Sequence, residues 1–427
     1  MGKNVRNRMI KLNKTHNPDL KSWVTSANED TTDFPIQNLP FGLFRHRGES
    51  SSFRGCTAIG DFILDLRAVN VECVGSLNTL ASKGKQEWSR IRGLLSHALS
   101  NEIQRESIEP YLFPLKDVEL GLPVVARDYT DFFTSYYHAY NTGKLFKPDE
   151  PVTPNFKWMP IAYHGRASSI VVSGTDILRP YGQILPVGEN QPIMAPSRFL
   201  DFESELGIII GPGNKMGETI GIDDAEDRIF GFVLLNDWSA RDIQAWEYQP
   251  LGPFLSKSFA TTISPWIITL EALAPFRSPA FKRFENDPPP LPHLTSKSNE
   301  KNGHFSIRIE AHLRSEECMN EILSSANYNS SYWNPAQLVV HHASNGCPMS
   351  PGDILGTGTI SGPEASEAGA MLELGQMGAK PVLLSNGEQR GALNNGDTLT
   401  LCARCSDNKF RAIGFGEASE KIYRRSE

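Results

Sequence analysis

Two apolar segments that border a group of carboxylates constrain the fold of this chain most strongly. The segment LDFESELGIIIG at residues 200–211 predicts one strand, and residues 229–235 predict a second strand that ends beside Asp237. Because side chains two apart in a strand share a face, Glu203 and Glu205 point the same way. Neighbouring carboxylates repel each other unless a cation or a proton lies between them. The pattern is compatible with a metal site at the strand ends, although a solvated strand face is the commoner origin of alternating glutamates.

A helix is predicted directly after the second strand. Ser239 and Asp242 have the spacing of a capping box with the serine at the N-cap. Pro250 cannot continue a helix, so the helix should end at about Tyr248.

The predicted helix has one polar face and one apolar face. Arg241, Gln244 and Tyr248 share a face and offer several hydrogen-bond donors, whereas Ile243 and Trp246 form the face expected to be buried. Donors beside a carboxylate cluster are typical of an oxyanion-binding site. A polar helix face is also commonly no more than surface.

The composition is that of a soluble globular protein with room for two or three domains. Of 427 residues, 39% are hydrophobic and 21% charged, and the net charge is -7. The negative charge argues against nucleic acid as a partner and means that an anionic substrate needs a locally positive pocket. The N-terminus lacks an apolar leader and no run is long enough to span a membrane, so we expect a cytoplasmic protein without a membrane partner.

The cysteines offer little indication of a zinc site. A C-x-x-C pair at 402–405 lacks a second pair at metal-binding spacing, with only weak completion from Cys347 or from His341 and His342. We therefore expect buried free thiols at Cys56, Cys73, Cys318, Cys347, Cys402 and Cys405.

The chain is predicted to be mainly β, with three parts. Residues 1–30 lack periodicity and predict a loosely ordered arm. Residues 31–118 combine short apolar runs, typical of a small barrel, with a helix at 86–105 that covers it. Residues 119–427 form a larger, predominantly β part, in which the aromatic-rich segment at 127–150 lacks periodicity and predicts a functional loop.

Several long motifs resemble the fumarylacetoacetase family, also called the fumarylacetoacetate hydrolase family. They are DFPIQNLPFG, DYTDF, YHGRASSIVVSGT, DFESELG, NDWSARDIQ, PLGPFL, GTISG and MLEL, and the resemblance runs from about residue 33 to the C-terminus. It implies an SH3-like N-terminal barrel, a larger all-β C-terminal domain and a homodimer. It also implies metal-dependent hydrolysis of the C–C bond of 4-fumarylacetoacetate to fumarate and acetoacetate, the last step of tyrosine and phenylalanine degradation.

The resemblance also implies two metal sites, for Ca²⁺ and Mg²⁺. Hard cations of this kind prefer carboxylate and carbonyl oxygens. The implied calcium ligands are Asp131, Glu203, Glu205 and Asp237, and those of magnesium are Asp237, Lys257 and Thr261. Because an ammonium cannot bind a cation, we expect Lys257 to contribute its main-chain oxygen and its side chain to be free to face an oxyanion.

The implied catalytic residues form a general base and an oxyanion site. His138 corresponds to the base, and Glu373 orients it and stabilises the imidazolium. Arg241, Gln244 and Lys257 would stabilise the tetrahedral oxyanion. Without the resemblance, His138 would be interpreted as a surface histidine.

The substrate contacts implied by the resemblance include two departures from the family pattern. Phe133 stands where the family has Tyr, and Lys147 where it has Arg, so a hydroxyl and a bidentate fork for a substrate carboxylate are lost. A related acylpyruvate hydrolase therefore stays an alternative, as does a catalytically silent metal-binding homologue. The complete implied set is Phe133, Lys147, Tyr163, Gln244, Tyr248 and Thr359.

Overall fold

Five short strands near the N-terminus form one antiparallel sheet. They are β1 (Phe41–His46), β2 (Arg54–Ile59), β3 (Phe62–Asp65), β4 (Leu112–Pro114) and β5 (Val118–Gly121). The computed structural model describes residues 10–317 and 320–424, and within them the sheet order is β4-β3-β2-β1-β5. The predicted boundary at residue 118 falls at the start of β5, which pairs with β1, so the sheet continues to Gly121. The SH3-like barrel stays a prediction.

The α-helices of the described residues are mostly short. They are α1 (Asn78–Ala81), α2 (Lys85–Ser100), α3 (Arg105–Ile108), α4 (Tyr136–Phe146), α5 (Arg241–Glu247), α6 (Leu270–Leu273), α7 (Lys297–Asn302), α8 (Pro335–Ala343) and α9 (Met371–Leu374). Among them, none combines the length and the apolar character that crossing a bilayer requires.

Helix α2 confirms the helix predicted from apolar spacing, although it ends earlier than residue 105. The ring of Trp88 lies 4.9 Å from that of Phe230, so the helix packs against the larger part of the chain as well as the N-terminal sheet. Ile103 lies beyond the helix and is exposed. The buried apolar side chains of helix α2 are Trp88, Ile91, Leu95, Ala98 and Leu99.

The expectation of a loosely ordered N-terminal arm is wrong for residues 10–30. His16 is buried and its Nε2 lies 2.7 Å from the main-chain oxygen of Glu271, while Trp23 Nε1 donates to the oxygen of Ala98 at 2.9 Å. The segment lacks periodicity because it runs over the surface in short turns that are held by side-chain hydrogen bonds. Residues 1–9 lie outside the described residues.

The rest of the chain is mainly β, as predicted. In chain order its strands are β6 (Tyr129–Phe133), β7 (Ile161–Gly165), β8 (Ile170–Val172), β9 (Ile177–Leu178), β10 (Tyr181–Ile184), β11 (Ile193–Pro196), β12 (Leu200–Asp201), β13 (Ser204–Ile210), β14 (Ile229–Asn236), β15 (Ser239–Ala240), β16 (Thr261–Ile263), β17 (Ile268–Thr269), β18 (Arg277–Ser278), β19 (His304–Phe305), β20 (Arg308–Arg314), β21 (Glu321–Asn327), β22 (Ile354–Gly356), β23 (Val382–Leu383), β24 (Gln389–Arg390), β25 (Thr398–Cys405) and β26 (Ile413–Tyr423).

Two sheets dominate this part. The larger has the order β7-β6-β22-β13-β14-β16-β8, with β17 paired to β14, and the second has the order β21-β20-β25-β26-β9. Every residue of β13 and β14 is buried, which explains why residues 206–210 of β13 and nearly all of β14 are apolar. Burial of an isoleucine such as Ile208 stabilises the fold by about 1.5–3 kcal/mol.

The register of the larger sheet brings its carboxylates to one edge. Ser204 pairs with Asn236, so the start of β13 lies beside the end of β14. Gly356 of β22 pairs with Asp131 of β6 in parallel and with Gly207 of β13. Side chains from three separate parts of the sequence therefore meet at this edge.

The cysteine pair at 402–405 lies on strand β25. Residues three apart on a strand point to opposite faces, so the two thiols cannot share a metal ion. Cys56, Cys73 and Cys405 are buried, whereas Cys347 and Cys402 are half-buried, and all five are free thiols. Cys318 lies outside the described residues.

Candidate active site

Four buried carboxylates form the centre of the site. Asp131 lies on β6, Glu203 directly before β13, Glu205 on β13 and Asp237 directly after β14. Each offers one oxygen that lies within 4.8 Å of the others, and no residue of the four is more than 6% exposed. The structure thus brings together the four residues that the resemblance implied as calcium ligands.

Two oxygens of this cluster are buried without a hydrogen-bond partner among the described residues. They are Asp131 Oδ1 and Glu205 Oε1. Burial, with the charge of Asp237 next, raises the pKa of Asp131 well above its usual value, and burial with the charge of Asp131 does the same for Glu205. Anionic oxygens without donors fit a hard cation.

Strand β22 approaches the cluster closely because it ends in a glycine. A Cβ at Gly356 would lie 2.5 Å from Asp131 Oδ1 and 3.2 Å from Glu205 Oε2. Gly358 has a φ of +73° and its main-chain N–H donates to Glu205 Oε2 at 2.9 Å. The glycines of this segment therefore leave room around the carboxylates.

Two buried cations neutralise part of the cluster. Lys257 Nζ donates to Glu203 Oε2 at 2.6 Å and to Asp237 Oδ2 at 2.7 Å, and Arg241 Nη2 donates to Glu203 Oε1 at 2.8 Å. Burial lowers the pKa of Lys257, but Asp237 and Glu203 outweigh it and the net shift is upward. Thr261 Oγ1 donates to Asp237 Oδ1 at 3.3 Å. The Lys257 side chain is thus engaged by two carboxylates in this structure, contrary to the expectation that it is free.

The charges of the cluster favour binding of a cation. When ionised, its four carboxylates and Asp201, which shares the Arg241 guanidinium, carry five negative charges, whereas Lys257 and Arg241 supply two positive charges. The excess of negative charge favours a divalent cation such as Ca²⁺ or Mg²⁺. The donor set, the unpartnered oxygens and the space at Gly356 therefore suit such an ion.

A histidine–glutamate pair lies beside the cluster. His138 Nδ1 is 2.6 Å from Glu373 Oε2, and both side chains are buried. Burial raises the pKa of Glu373, but His138 and the other hydrogen-bond donors outweigh it and hold the pKa below its usual value. Burial raises the pKa of Glu203, but the charges of Lys257 and Arg241, with a smaller contribution from His138, outweigh it and lower the pKa. The pair and the cluster therefore form one electrostatic site.

His138 lies on helix α4, so the prediction of a loop for this segment is wrong. Ser135 is the N-cap, and its Oγ accepts the main-chain N–H of His138 at 3.2 Å. The run of polar aromatic residues obscured the helical spacing. The serine three residues before His138 was the signal that could have identified the helix.

The implied substrate contacts fall into an inner and an outer group. Tyr163 OH donates to Asp237 Oδ2 at 2.7 Å, and Gln244 Oε1 accepts from Arg241 Nη1 at 3.1 Å. Thr359 is buried. The ring of Phe133 lies 5.3 Å from that of His138. Lys147, the C-cap of α4, and Tyr248, the C-cap of α5, are exposed.

The predicted capping box of the following helix is wrong. Helix α5 begins at Arg241 with Ala240 as N-cap, because Ser239 belongs to β15 and donates its hydroxyl to the oxygen of Asp237. Asp242 instead accepts from Ser197 Oγ at 2.7 Å.

The predicted buried face of α5 is only half correct. Ile243 is buried, whereas Trp246 is 41% exposed. The helix ends at Glu247, close to the predicted end, so Trp246 lies in its last turn, where its indole N–H donates to Gln183 Oε1 at 3.3 Å.

The sequence analysis missed Asp201, which links two parts of the site. Its carboxylate accepts from Arg241 Nε at 2.8 Å and from the main-chain N–H groups of Met371 and Leu372 at 2.7 and 3.0 Å. It therefore holds the guanidinium and the start of the helix that carries Glu373. The alternation of acids at 201, 203 and 205 was the available signal.

Together the fold and the site define a mainly β protein with a buried carboxylate centre beside a His–Glu pair. The chain matches the family model "Fumarylacetoacetase N-terminal" over residues 37–123 and "Fumarylacetoacetate (FAA) hydrolase C-terminal" over residues 133–422. It therefore belongs to the fumarylacetoacetate hydrolase family and is a hydrolase.

Relatives of known name agree with this assignment. Fumarylacetoacetase of Arabidopsis thaliana is 43% identical over 431 residues, covering 94% of this chain and 98% of that protein. The Homo sapiens fumarylacetoacetase is 41% identical over 413 residues, covering 92% and 97%.

Two solved structures share the fold at low identity. Fumarylacetoacetate hydrolase from psychrophilic Exiguobacterium antarcticum has a TM-score of 0.52 at 16% identity. Maleylpyruvate hydrolase from Sphingobium sp. SYK-6 has a TM-score of 0.50 at 18% identity. Each comparison covers 91% of this chain and 100% of the other. At these identities the likeness is one of fold alone.

Proposed function

We propose that this chain hydrolyses the C–C bond of 4-fumarylacetoacetate to fumarate and acetoacetate, the last step of tyrosine and phenylalanine degradation. The observation that carries the proposal is the contact of 2.6 Å between His138 and Glu373 beside the four-carboxylate cluster. The proposal is further supported by relatives named fumarylacetoacetase, whose similarity covers 92–94% of the chain.

The metal proposal follows the chemistry of the donors. We assign Ca²⁺ to the cluster of Asp131, Glu203, Glu205 and Asp237, and Mg²⁺ to Asp237, the main-chain oxygen of Lys257 and Thr261. When bound, a divalent cation supplies Lewis-acid stabilisation of the oxygens of the diketone and of the departing enolate.

His138 acts as the general base in the proposed reaction. Glu373 holds the Nδ1 proton, so the free Nε2 takes a proton from water, and the water oxygen forms a bond to the carbonyl carbon beside the scissile bond. Glu373 stabilises the imidazolium that results. When the C–C bond breaks, the proton returns from His138 to the carbon of the leaving acetoacetate, so the histidine is regenerated.

The oxyanion of the tetrahedral intermediate needs donors in a water-poor site. Arg241 and Gln244 lie side by side on α5, and Lys257 is directed at the same carboxylate, Glu203. We propose that these three groups donate to the oxyanion, where loss of one donor typically costs about 10²–10³-fold in kcat. Tyr163 and Thr359 complete the inner wall of the proposed substrate site.

Two of the implied substrate contacts, Phe133 and Lys147, favour one alternative, an acylpyruvate hydrolase of the same family. Phe133 presents a hydrocarbon edge, and Lys147 presents an exposed ammonium rather than a guanidinium, so the recognition of a substrate carboxylate differs from the family pattern. Gln244 and Tyr248 would contact the remainder of either substrate.

The test is the steady-state rate on fumarylacetoacetate and on fumarylpyruvate, with and without a chelator. We expect a fast, chelator-sensitive rate on fumarylacetoacetate that His138→Ala abolishes while bound metal is retained. His97→Ala, at an exposed position on α2, is the matched control and should leave the rate unchanged. Full activity of His138→Ala would contradict the mechanism, and a faster rate on fumarylpyruvate would favour the alternative.

We also propose a homodimer. Leu251, Phe254 and Met194 are 97%, 65% and 69% exposed. Leu251 and Phe254 lie on the loop that follows α5, and α5 is joined to the hairpin that carries Met194 by the bond from Trp246 to Gln183. Apolar side chains exposed together commonly mark a protein interface. Light scattering after size-exclusion chromatography should give twice the chain mass, and Leu251→Lys should reduce it; a monomer at micromolar concentration contradicts the proposal. The cytoplasmic location stays an expectation from the sequence.

A further inference from the structure

The Glu373 carboxylate is held by two further side chains in addition to His138. Glu373 Oε2 accepts from His138 Nδ1 at 2.6 Å and from Ser361 Oγ at 2.9 Å, and Oε1 accepts from Asn141 Nδ2 at 2.9 Å. The Glu373 side chain is 1% exposed, so water cannot easily replace any of these donors.

Asn141 and His138 reach the carboxylate from the same helix. They are three residues apart on α4 and therefore lie on one face, so each contacts a different oxygen of Glu373. The helix as a unit thus fixes both the position of the carboxylate and the rotation of its plane.

We propose that Asn141 is a positioning residue for the histidine–glutamate pair, a proposal that rests on the hydrolytic function proposed above. Its amide keeps Glu373 ionised and directs Oε2 at Nδ1 of His138, which leaves Nε2 as the basic nitrogen. Without Asn141, the Oε1 oxygen of the buried Glu373 carboxylate loses its donor.

Loss of the Asn141 amide should move the proton equilibrium of the pair in one direction. A carboxylate with fewer donors is more basic, so it either takes a proton itself or attracts the His138 proton more strongly. Both changes make the pair hold its protons to higher pH. A further charge that acts on His138 is that of Glu203, which Asn141 does not contact and which is unchanged in the variants below.

Two substitutions and one control test the proposal on the full chain. Asn141→Ala removes the donor, and Asn141→Asp keeps the shape but places an acceptor against Glu373 Oε1. Thr142→Val is the control, because Thr142 Oγ1 donates only to main-chain oxygens of α4, those of His138 and Ala139.

For Asn141→Ala we expect kcat to fall about 10- to 100-fold with KM little changed. For Asn141→Asp we expect the acid limb of the kcat–pH profile to move up by about one pH unit or more, because two adjacent carboxylates retain a shared proton. Thr142→Val should keep both kcat and the profile.

Nitrogen-15 NMR of the His138 ring gives a readout that does not require turnover. We expect the wild-type ring to carry its proton on Nδ1, and both Asn141 variants to shift the His138 titration to higher pH. If the parent enzyme hydrolyses neither diketo acid, the hydrolytic function fails, and the NMR titration still decides the role of Asn141. Unshifted titrations, or losses of activity that merely follow losses of melting temperature, would overturn the proposal.

Discussion

The stability of the protein should depend on a divalent cation at the four-carboxylate cluster, and removal of one of its ligands, Asp131, tests this. In the metal-free protein, the unpartnered Asp131 Oδ1 is buried beside Glu205 and Asp237. Asp131→Asn keeps the size of the side chain but cannot ionise, so it removes one anionic metal ligand and avoids the cost of a buried charge in the metal-free protein. We therefore expect the variant to melt at or above the wild-type temperature in a chelator, and to gain no stability from Ca²⁺ or Mg²⁺.

The magnitude follows from linkage. An ion at 100 times its Kd stabilises the folded chain by about 2.7 kcal/mol. For 427 residues at about 2.1 cal/mol/K each, the entropy of unfolding is about 0.9 kcal/mol/K. The wild-type melting temperature should therefore rise by about 3 °C on adding the ion.

Differential scanning calorimetry with chelator and with each ion measures this shift. Glu420→Gln is the control, because Glu420 is a buried carboxyl outside the cluster, so the variant should keep the full response to the ion. If Asp131→Asn retains the shift, or melts well below the wild type in the chelator, then the cluster does not bind the ion as argued.

Three further predictions concern pH, specificity and the core. Burial raises the pKa of Glu420 well above its usual value, so its contribution to stability is fully present below the unfolded pKa and is lost as pH rises. In urea unfolding, the stability of Glu420→Gln relative to wild type should therefore increase from pH 5 to pH 8. An equal difference in the free energy of unfolding at both pH values would contradict this. Phe133→Tyr with Lys147→Arg should raise kcat/KM for fumarylacetoacetate by about tenfold or more, because a hydrogen bond to a charged group is worth about 1.5–3 kcal/mol; an unchanged ratio to the fumarylpyruvate rate would exclude these positions from specificity. Ile208→Ala should lower the free energy of unfolding by about 2–5 kcal/mol, and a loss below 1 kcal/mol would mean that the core repacks around the cavity.

The sequence was sufficient to predict the two strands beside Glu203, Glu205 and Asp237, but not strand β6, which carries Asp131 and lies in a segment predicted as a loop. Residues 206–210 of β13 and nearly all of β14 are apolar because both strands are buried on both faces, and strand periodicity alone puts Glu203 and Glu205 on one side. What periodicity could not provide was the partner strand. That Asp131 joins them depends on the parallel pairing of β6 with β22, which no local pattern records.

Local signals were less reliable where tertiary contacts competed with them. Ser239 has the spacing of an N-cap but is held by strand pairing in β15, and Trp246 has the spacing of a core residue but lies at the surface. Asn141 carried no signal of its own, since its role depends on Glu373, which is 232 residues away. Patterns in a single sequence indicate which face of a helix or strand is buried, whereas this site depends on contacts between helices and strands that are far apart in the sequence.

The position of β22 in the larger sheet also orders events during synthesis of the chain. All four cluster carboxylates have been made by residue 237, but β6 is joined to β13 only through β22, at residues 354–356. A nascent chain of 300 residues therefore contains every carboxylate and still lacks the strand that brings Asp131 to the others. Completion of the site should therefore be one of the last steps of folding, and chains that end before β22 should lack the fourth carboxylate of the cluster.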